Sequence, residues 1–209
     1  MSSPFTTELD AINLVLRSTQ TAPISNLKNL TSIARQAQIL LDQAARELFI
    51  EGYPFNTEYL EVSVDKNREI KLPYNVMVMT IEYNINNTSY RNSKNRYVLR
   101  NGRVYDRVES SYKLPTGLKM RIRVSRWLDW PERSENASQL IIAKASLDFS
   151  QSRISDAEAY ANLAREYDKA KRRFLMVEAN NNLSSVFDSS NITSWDDPRW
   201  AVASGFDWY

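Results

Sequence analysis

The sequence predicts an α+β protein: a bundle of about four helices, an antiparallel β domain inserted into it, and an extended C-terminal arm. Three observations carry that expectation. Helical periodicity holds up to residue 55 and again after residue 128. Between 56 and 127 the period is two, and turn residues separate short runs. Beyond residue 180 both periods are lost, yet three of the five tryptophans lie there. The predicted organisation is therefore 1–55 with 128–179 as the helical bundle, 56–127 as the β domain and 180–209 as the arm. The two helical halves are expected to pair, because each amphipathic stripe needs an apolar partner.

The first helix is predicted over 7–18. Thr7 and Asp10 have capping-box spacing, with Asp in place of the usual Glu or Gln, and Leu9, Ile12, Val15 and Leu16 share a face. Ala22-Pro23 and the polar residues up to Asn29 make a loop. The second helix, 31–51, carries Ile33, Ala37, Leu40, Leu41, Ala44, Leu48 and Phe49 at helical spacing. It stops at Gly52, with Pro54 beyond. A third helix is predicted to start at Asp129 or Trp130, before Pro131, and to run to about 151 through Ala137, Leu140, Ile141, Ala145 and Phe149. Ser155-Asp156-Ala157-Glu158 reads as the capping box of a fourth helix ending near 178, with Tyr160, Leu163, Ala164, Tyr167, Ala170, Phe174 and Val177 on its apolar face.

In the β domain, residues 59–65 alternate and end in an Asp65-Lys66-Asn67 turn. Residues 69–72 form a short run before Pro73, and 75–85 form an apolar strand before Asn86-Asn87-Thr88. Asn101-Gly102 between Tyr97–Arg100 and Arg103–Asp106 is a strong hairpin signal, since both turn residues need positive φ. After the Leu114–Gly117 turn, Leu118, Met120, Ile122 and Val124 alternate with Lys119, Arg121, Arg123 and Ser125. That strand has one buried and one basic face.

Composition bounds the chemistry. The 209 residues include no histidine and no cysteine. Ser-His-Asp and Cys-His nucleophiles, disulfides, redox motifs and the usual zinc sites are thereby excluded. The four glycines are too scattered for a phosphate-binding loop. Catalysis by Asp, Glu, Lys, Tyr, Ser or Arg alone stays possible, but no catalytic, metal-binding or cofactor-binding residue is singled out. No apolar run approaches the roughly 20 residues of a membrane span, and the N-terminus does not read as a secretory signal. Glu58 with Glu61, and Asp196 with Asp197, are close in sequence, but such pairs are far more often exposed charges than acid–base catalysts.

Two features point to binding. Residues 91–126 hold eleven basic residues against Asp106 and Glu109, a net of +9 in a chain of net +2. Arg100, Arg103, Arg107, Lys119, Arg121, Arg123 and Arg126 are the candidate partner interface. With Tyr90, Tyr97, Tyr105 and Tyr112 interleaved, the region could grip nucleic acid or meet an acidic protein surface. The second feature is the arm. It is acidic, yet Trp195, Trp200, Phe206, Trp208 and Tyr209 make it a candidate docking segment, because Trp and Tyr dominate association hot spots.

Four ordered segments resemble the tail tubular protein A family of T7-like short-tailed bacteriophages, the head-to-tail adaptors or gatekeepers. They are Leu9–Ser18 with Ala22–Leu27, the Ala-rich helix leading into Gly52-Tyr53-Pro54-Phe55-Asn56, the hairpin Tyr97–Arg107, and Trp130-Pro131-Glu132 with Ala143-Lys144-Ala145-Ser146. The second is similar to the family's Gly-Trp-x-Phe-Asn, the third to its Gly-x-Val-Tyr-Asp-Arg, the fourth to its Met-Pro-Glu and Thr-Lys-Ala-Ser. The matches span residues 9–176, with 86–96 and the arm outside them. The resemblance implies a non-enzymatic virion protein with a helical bundle and a β domain. It implies a homo-oligomeric ring, expected to have twelve subunits, between the portal protein and a nozzle of the tail tubular protein B kind. Tail fibres are further candidate partners, and DNA would pass through the lumen during ejection. The implied location is the head–tail junction of the virion, after assembly in the host cytoplasm.

Overall fold

The structure, a computed structural model, describes residues 6–84, 96–151, 153 and 156–188. Helix α1 (Glu8–Ser18) begins as its capping box requires. Asp10 N donates to Thr7 Oγ1 at 3.2 Å, and Thr7 N donates to Asp10 Oδ2 at 3.1 Å. Helix α2 (Ser32–Glu51) starts behind Thr31, whose hydroxyl accepts from Ala34 N. It ends on Gly52 in the left-handed region at φ 73°. A 3-10 turn, Pro54–Asn56, then leads into the strands β1 (Thr57–Ser63), β2 (Val76–Asn84), β3 (Tyr97–Arg100), β4 (Arg103–Asp106) and β5 (Lys119–Arg126). Helices α3 (Glu135–Ser150) and α4 (Ala157–Asp188) follow. Four helices with antiparallel sheets match the predicted α+β class.

The last two helices differ from the sequence reading in detail. Trp130–Glu132 is a separate 3-10 turn closed by Asp129, and α3 starts only at Glu135, capped by the Ser134 hydroxyl. Between them Arg133 is extended, at φ −73° and ψ 142°. At the head of α4, Asp156 Oδ1 accepts from Glu158 N and Ala159 N, so Asp156 is the cap. The Ser155 of the expected box lies outside the described residues. Helix α4 continues ten residues past the expected end, to Asp188. No Gly or Pro interrupts 179–188, and propagation along an existing helix is easier than nucleation. The first part of the segment read as an arm, 180–188, is therefore helical. Trp195, Trp200, Phe206, Trp208 and Tyr209 lie outside the described residues, as do 85–95 with the expected Asn86-Asn87-Thr88 turn.

Strand β5 is the centre of a three-stranded antiparallel sheet ordered β1-β5-β2, and β3 pairs with β4 in a second, two-stranded sheet. The β3–β4 turn is Asn101-Gly102, with φ of 48° and 68°, as the Asn-Gly signal requires. Buried side chains form two clusters. One joins α1, α2, α3 and Phe174 of α4. The other gathers Met120, Ile122 and Val124 of β5 with Ile81, Val104, Leu114 and their neighbours. Helix α3 packs against all three other helices, which is why it is buried on most of its circumference. Among the described residues no helix is long and apolar enough to cross a membrane.

The chain passes between the clusters twice, at neighbouring points. Asn56, only 2% exposed, holds both crossings: its Nδ2 donates to Phe49 O at 2.9 Å and to Arg126 O at 3.2 Å. One amide thus ties the last turn of α2 to the last residue of β5. Replacing Asn56 by Ala should destabilise the protein by about 2–3 kcal/mol, because two carbonyls lose a buried donor. Asn56→Asp should be worse, since it sets a charge against both carbonyls. Urea unfolding of the two variants checks both the size and the order.

Candidate interaction surface

The basic strand folds as its alternation requires. Met120, Ile122 and Val124 are wholly buried on one face of β5, while Lys119, Arg121 and Arg123 line the other. On that outer face β1 places Ser63 opposite Lys119, Glu61 opposite Arg121 and Tyr59 opposite Arg123. Strand β2 adds Thr80 beside Arg123. The Arg121 guanidinium lies 5.4 Å from the ring of Tyr59, which is 56% exposed. The C-terminal end of α2 bounds this face: Glu51 and Gly52 line a small hollow of about 30 Å³ with Arg123 and Ser125.

The remaining candidates sit elsewhere. In the β3–β4 hairpin, Tyr97 and Val104 turn into the core. Arg100 and Arg103, which pair with each other, turn outward, so they lie on the opposite outer side from Lys119, Arg121 and Arg123. The Arg100 guanidinium stacks 4.2 Å from the Tyr105 ring, and Arg103 meets Glu69 at 3.1 Å beside the Tyr112 ring. Arg126 forms an ion pair with Glu58 at 2.8 Å where the sheet meets the helices. Arg107 follows β4 and donates its backbone N–H to Arg96 O at 2.8 Å. Fold geometry therefore gathers three of the seven predicted interface residues onto one face and disperses the other four. Glu58 and Glu61 point to opposite faces of β1, so they do not form a carboxylate pair.

The net of +9 along residues 91–126 is partly balanced in space by Glu58, Glu61 and Glu69, all distant in sequence. A linear count misses these acids, although alternation in β1 and the antiparallel pairing signals could have placed Glu61 beside a basic strand. Another group invisible to the sequence reading is Arg133. Only 3% exposed, its guanidinium sits 4.1 Å from the Trp130 ring, 5.2 Å from Trp127 and 5.3 Å from Phe49. Burial pushes its pKa down to about 10, against the opposing pull of Asp42, Asp129 and Glu8.

The turn after β4 is built on Asp106. Its side chain has no exposure and accepts from Arg96 Nε at 2.9 Å and Arg96 Nη2 at 2.7 Å. It also accepts from the backbone N–H groups of Val108 and Glu109. Burial raises its pKa, but the Arg96 hydrogen bonds and the two backbone donors outweigh it and hold the carboxyl below its usual range.

The sequence profile of the tail tubular proteins matches residues 9–184, from α1 through most of α4. The chain belongs to the tail tubular protein family. A relative in that family, Tail tubular protein A of Klebsiella phage KP34, is 25% identical over 174 residues, covering 83% of this chain and 88% of that protein. As a tail tubular protein, the chain is a structural component of a bacteriophage tail.

Acid should expose the role of Asp106. A depressed carboxylate stabilises the fold above its unfolded pKa, and that stabilisation is lost as pH falls through the folded value. Asp106→Asn should cost about 2–3 kcal/mol at neutral pH through its weakened charge-assisted hydrogen bonds. The gap to the parent should close as the pH falls below the usual carboxylate range. Thermal melts of both proteins from neutral to acidic pH read this directly.

Proposed function

We propose that this tail tubular protein is a head-to-tail adaptor. Copies form a ring, twelve by the family resemblance, between the portal protein and the tail nozzle, around a lumen through which DNA leaves the capsid. Family membership over residues 9–184 is the observation that carries this reading. The ring would be completed in the host cytoplasm and reside at the head–tail junction. In this reading 1–55 with 128–179 act as one domain making ring and portal contacts. Residues 56–127 act as a second domain turned toward the nozzle or fibre proteins. The helix that extends to Asp188 belongs to the first, and the arm begins beyond it.

The Lys119–Arg121–Arg123 row supports an acidic protein partner over direct nucleic-acid binding. Glu61 and Tyr59 are interleaved with it, and the other cations of the region lie elsewhere. A phosphate backbone favours an unbroken run of cations, whereas a mixed row selects a partner of complementary pattern.

Two outcomes are expected. A native mass measurement should show a ring-sized species when the protein is mixed with its portal; a monomer at every concentration and ratio would refute the adaptor reading. Arg121→Ser with Arg123→Ser should weaken the complex with the nozzle and flatten its salt dependence. If the doubly substituted protein keeps the parent's affinity and salt slope, the β face is not the nozzle contact.

A further inference from the structure

A groove of about 590 Å³ runs between α1, α3 and α4. Its size falls in the range of about 300–1,000 Å³ that encloses compact ligands. Leu14, Ile142, Leu163 and Ala170 give it an apolar lining. Arg17, Lys169 and Arg173 stand around it against one acid, Glu166, a net of +2, and none of the three cations forms an ion pair among the described residues. A second hollow, of about 750 Å³, reaches the groove across Leu14 and Arg17 and extends it toward Pro23. Leu14 is 37% exposed, so the last turn of α1 presents an apolar ridge with a cation beside it.

The complementary chemistry is in the same chain. Residues 189–209 carry five large aromatics, Trp195, Trp200, Phe206, Trp208 and Tyr209. They also carry Asp196, Asp197 and Asp207 against one Arg199, a net of −2. Reach allows two grooves, that of the same copy and that of a neighbour. Helix α4 lines the groove from Leu163 to Arg173 and then runs on to Asp188, about 22 Å further at 1.5 Å per residue. The end of the helix therefore stands about 22 Å beyond the groove, a distance that residues 189–209 can retrace at up to about 3.5 Å per extended residue, so it is ring closure that favours the neighbour's groove. A head-to-tail arrangement brings such a projecting segment against the next copy, the heterologous geometry from which closed rings are made.

We propose that residues 189–209 of one copy dock in the α1–α3–α4 groove of the neighbouring copy. Aromatic side chains enter the apolar lining, and Asp196 and Asp197 meet Lys169 and Arg173. The inference rests on the self-assembly reading above and specifies the contact that links successive subunits.

The chain has no cysteine, so single introduced cysteines report without background. Full-length protein carrying Gln139→Cys in the groove is mixed with protein carrying Ser204→Cys and a distinguishable tag. The mixture is oxidised with portal present, and native mass is recorded in parallel. A mixed disulfide between the two species is expected. Lys169→Glu with Arg173→Glu in the groove protein should lower its yield about tenfold. Asp196→Lys with Asp197→Lys in the arm protein should restore it. A ring-sized mass without the mixed disulfide would overturn this inference and leave the adaptor reading standing. So would a doubly substituted chain that closes only on itself. Absence of any assembled species would remove both.

Discussion

The two cores are held in one relation by what happens where the chain passes between them. A buried amide at Asn56 spans the end of α2 and the end of β5. A few residues along the return crossing, Arg133 inserts its guanidinium among Phe49, Trp127 and Trp130, and its Nε donates to Leu128 O at 2.9 Å. These two side chains do complementary work. Asn56 fixes the backbone ends by directed hydrogen bonds, whereas Arg133 fills the space between them and keeps its charge against several ring faces. The break between the Trp130–Glu132 turn and α3 follows from this: an extended residue at 133 carries the side chain inward, where a helical one would continue the turn. Leaving such a charge buried without those rings would be costly, so the aromatic residues of the crossing are bound to the presence of the arginine.

Much of the fold was legible because short-range rules govern it. The Thr7–Asp10 box, the stop at Gly52, the Asn101-Gly102 turn and the inward row Met120, Ile122 and Val124 depend on residues within one turn or one strand of each other. The apolar stripe of α4 was also visible, because Tyr167, Ala170 and Phe174 recur at helical spacing and do face the bundle. What stayed hidden depends on distant partners. Nothing local singles out Ser134 as a cap, because Pro131 offers an equally good helix start three residues earlier. The run of asparagines at 180–182 reads as a loop, yet an established helix absorbs it. Arg133 carried no sign of burial, since arginine is rarely buried and its cage is assembled from α2 and the β5–α3 connection.

The candidate surface was legible in kind but not in layout. Alternation marked Lys119, Arg121 and Arg123 as an outward row, and the structure agrees. It could not show that Arg103 and Arg126 are paired with acids contributed by distant residues. Charge counted along a sequence overstates the field at any one face, because a strand's neighbours come from elsewhere in the chain. The physical result is two separate faces of mixed sign, with the Tyr105 ring supporting Arg100 on one and the Tyr59 ring supporting Arg121 on the other. Such surfaces discriminate between partners more than they attract them.

The strand order carries a consequence for timing. β5 is the last strand in the chain, yet it lies between the first two, and β1 and β2 have no direct pairing with each other. α3, which follows β5, is the helix against which the other three pack. Neither core can therefore close while the first hundred or so residues alone have left the ribosome. Contacts between remote parts of a chain form slowly. Synthesis must run through β5 before the strands become firm and through α3 before the helices do, so each subunit matures late. A nascent chain that has only α1, α2 and two unpaired strands has no finished surface to offer a partner.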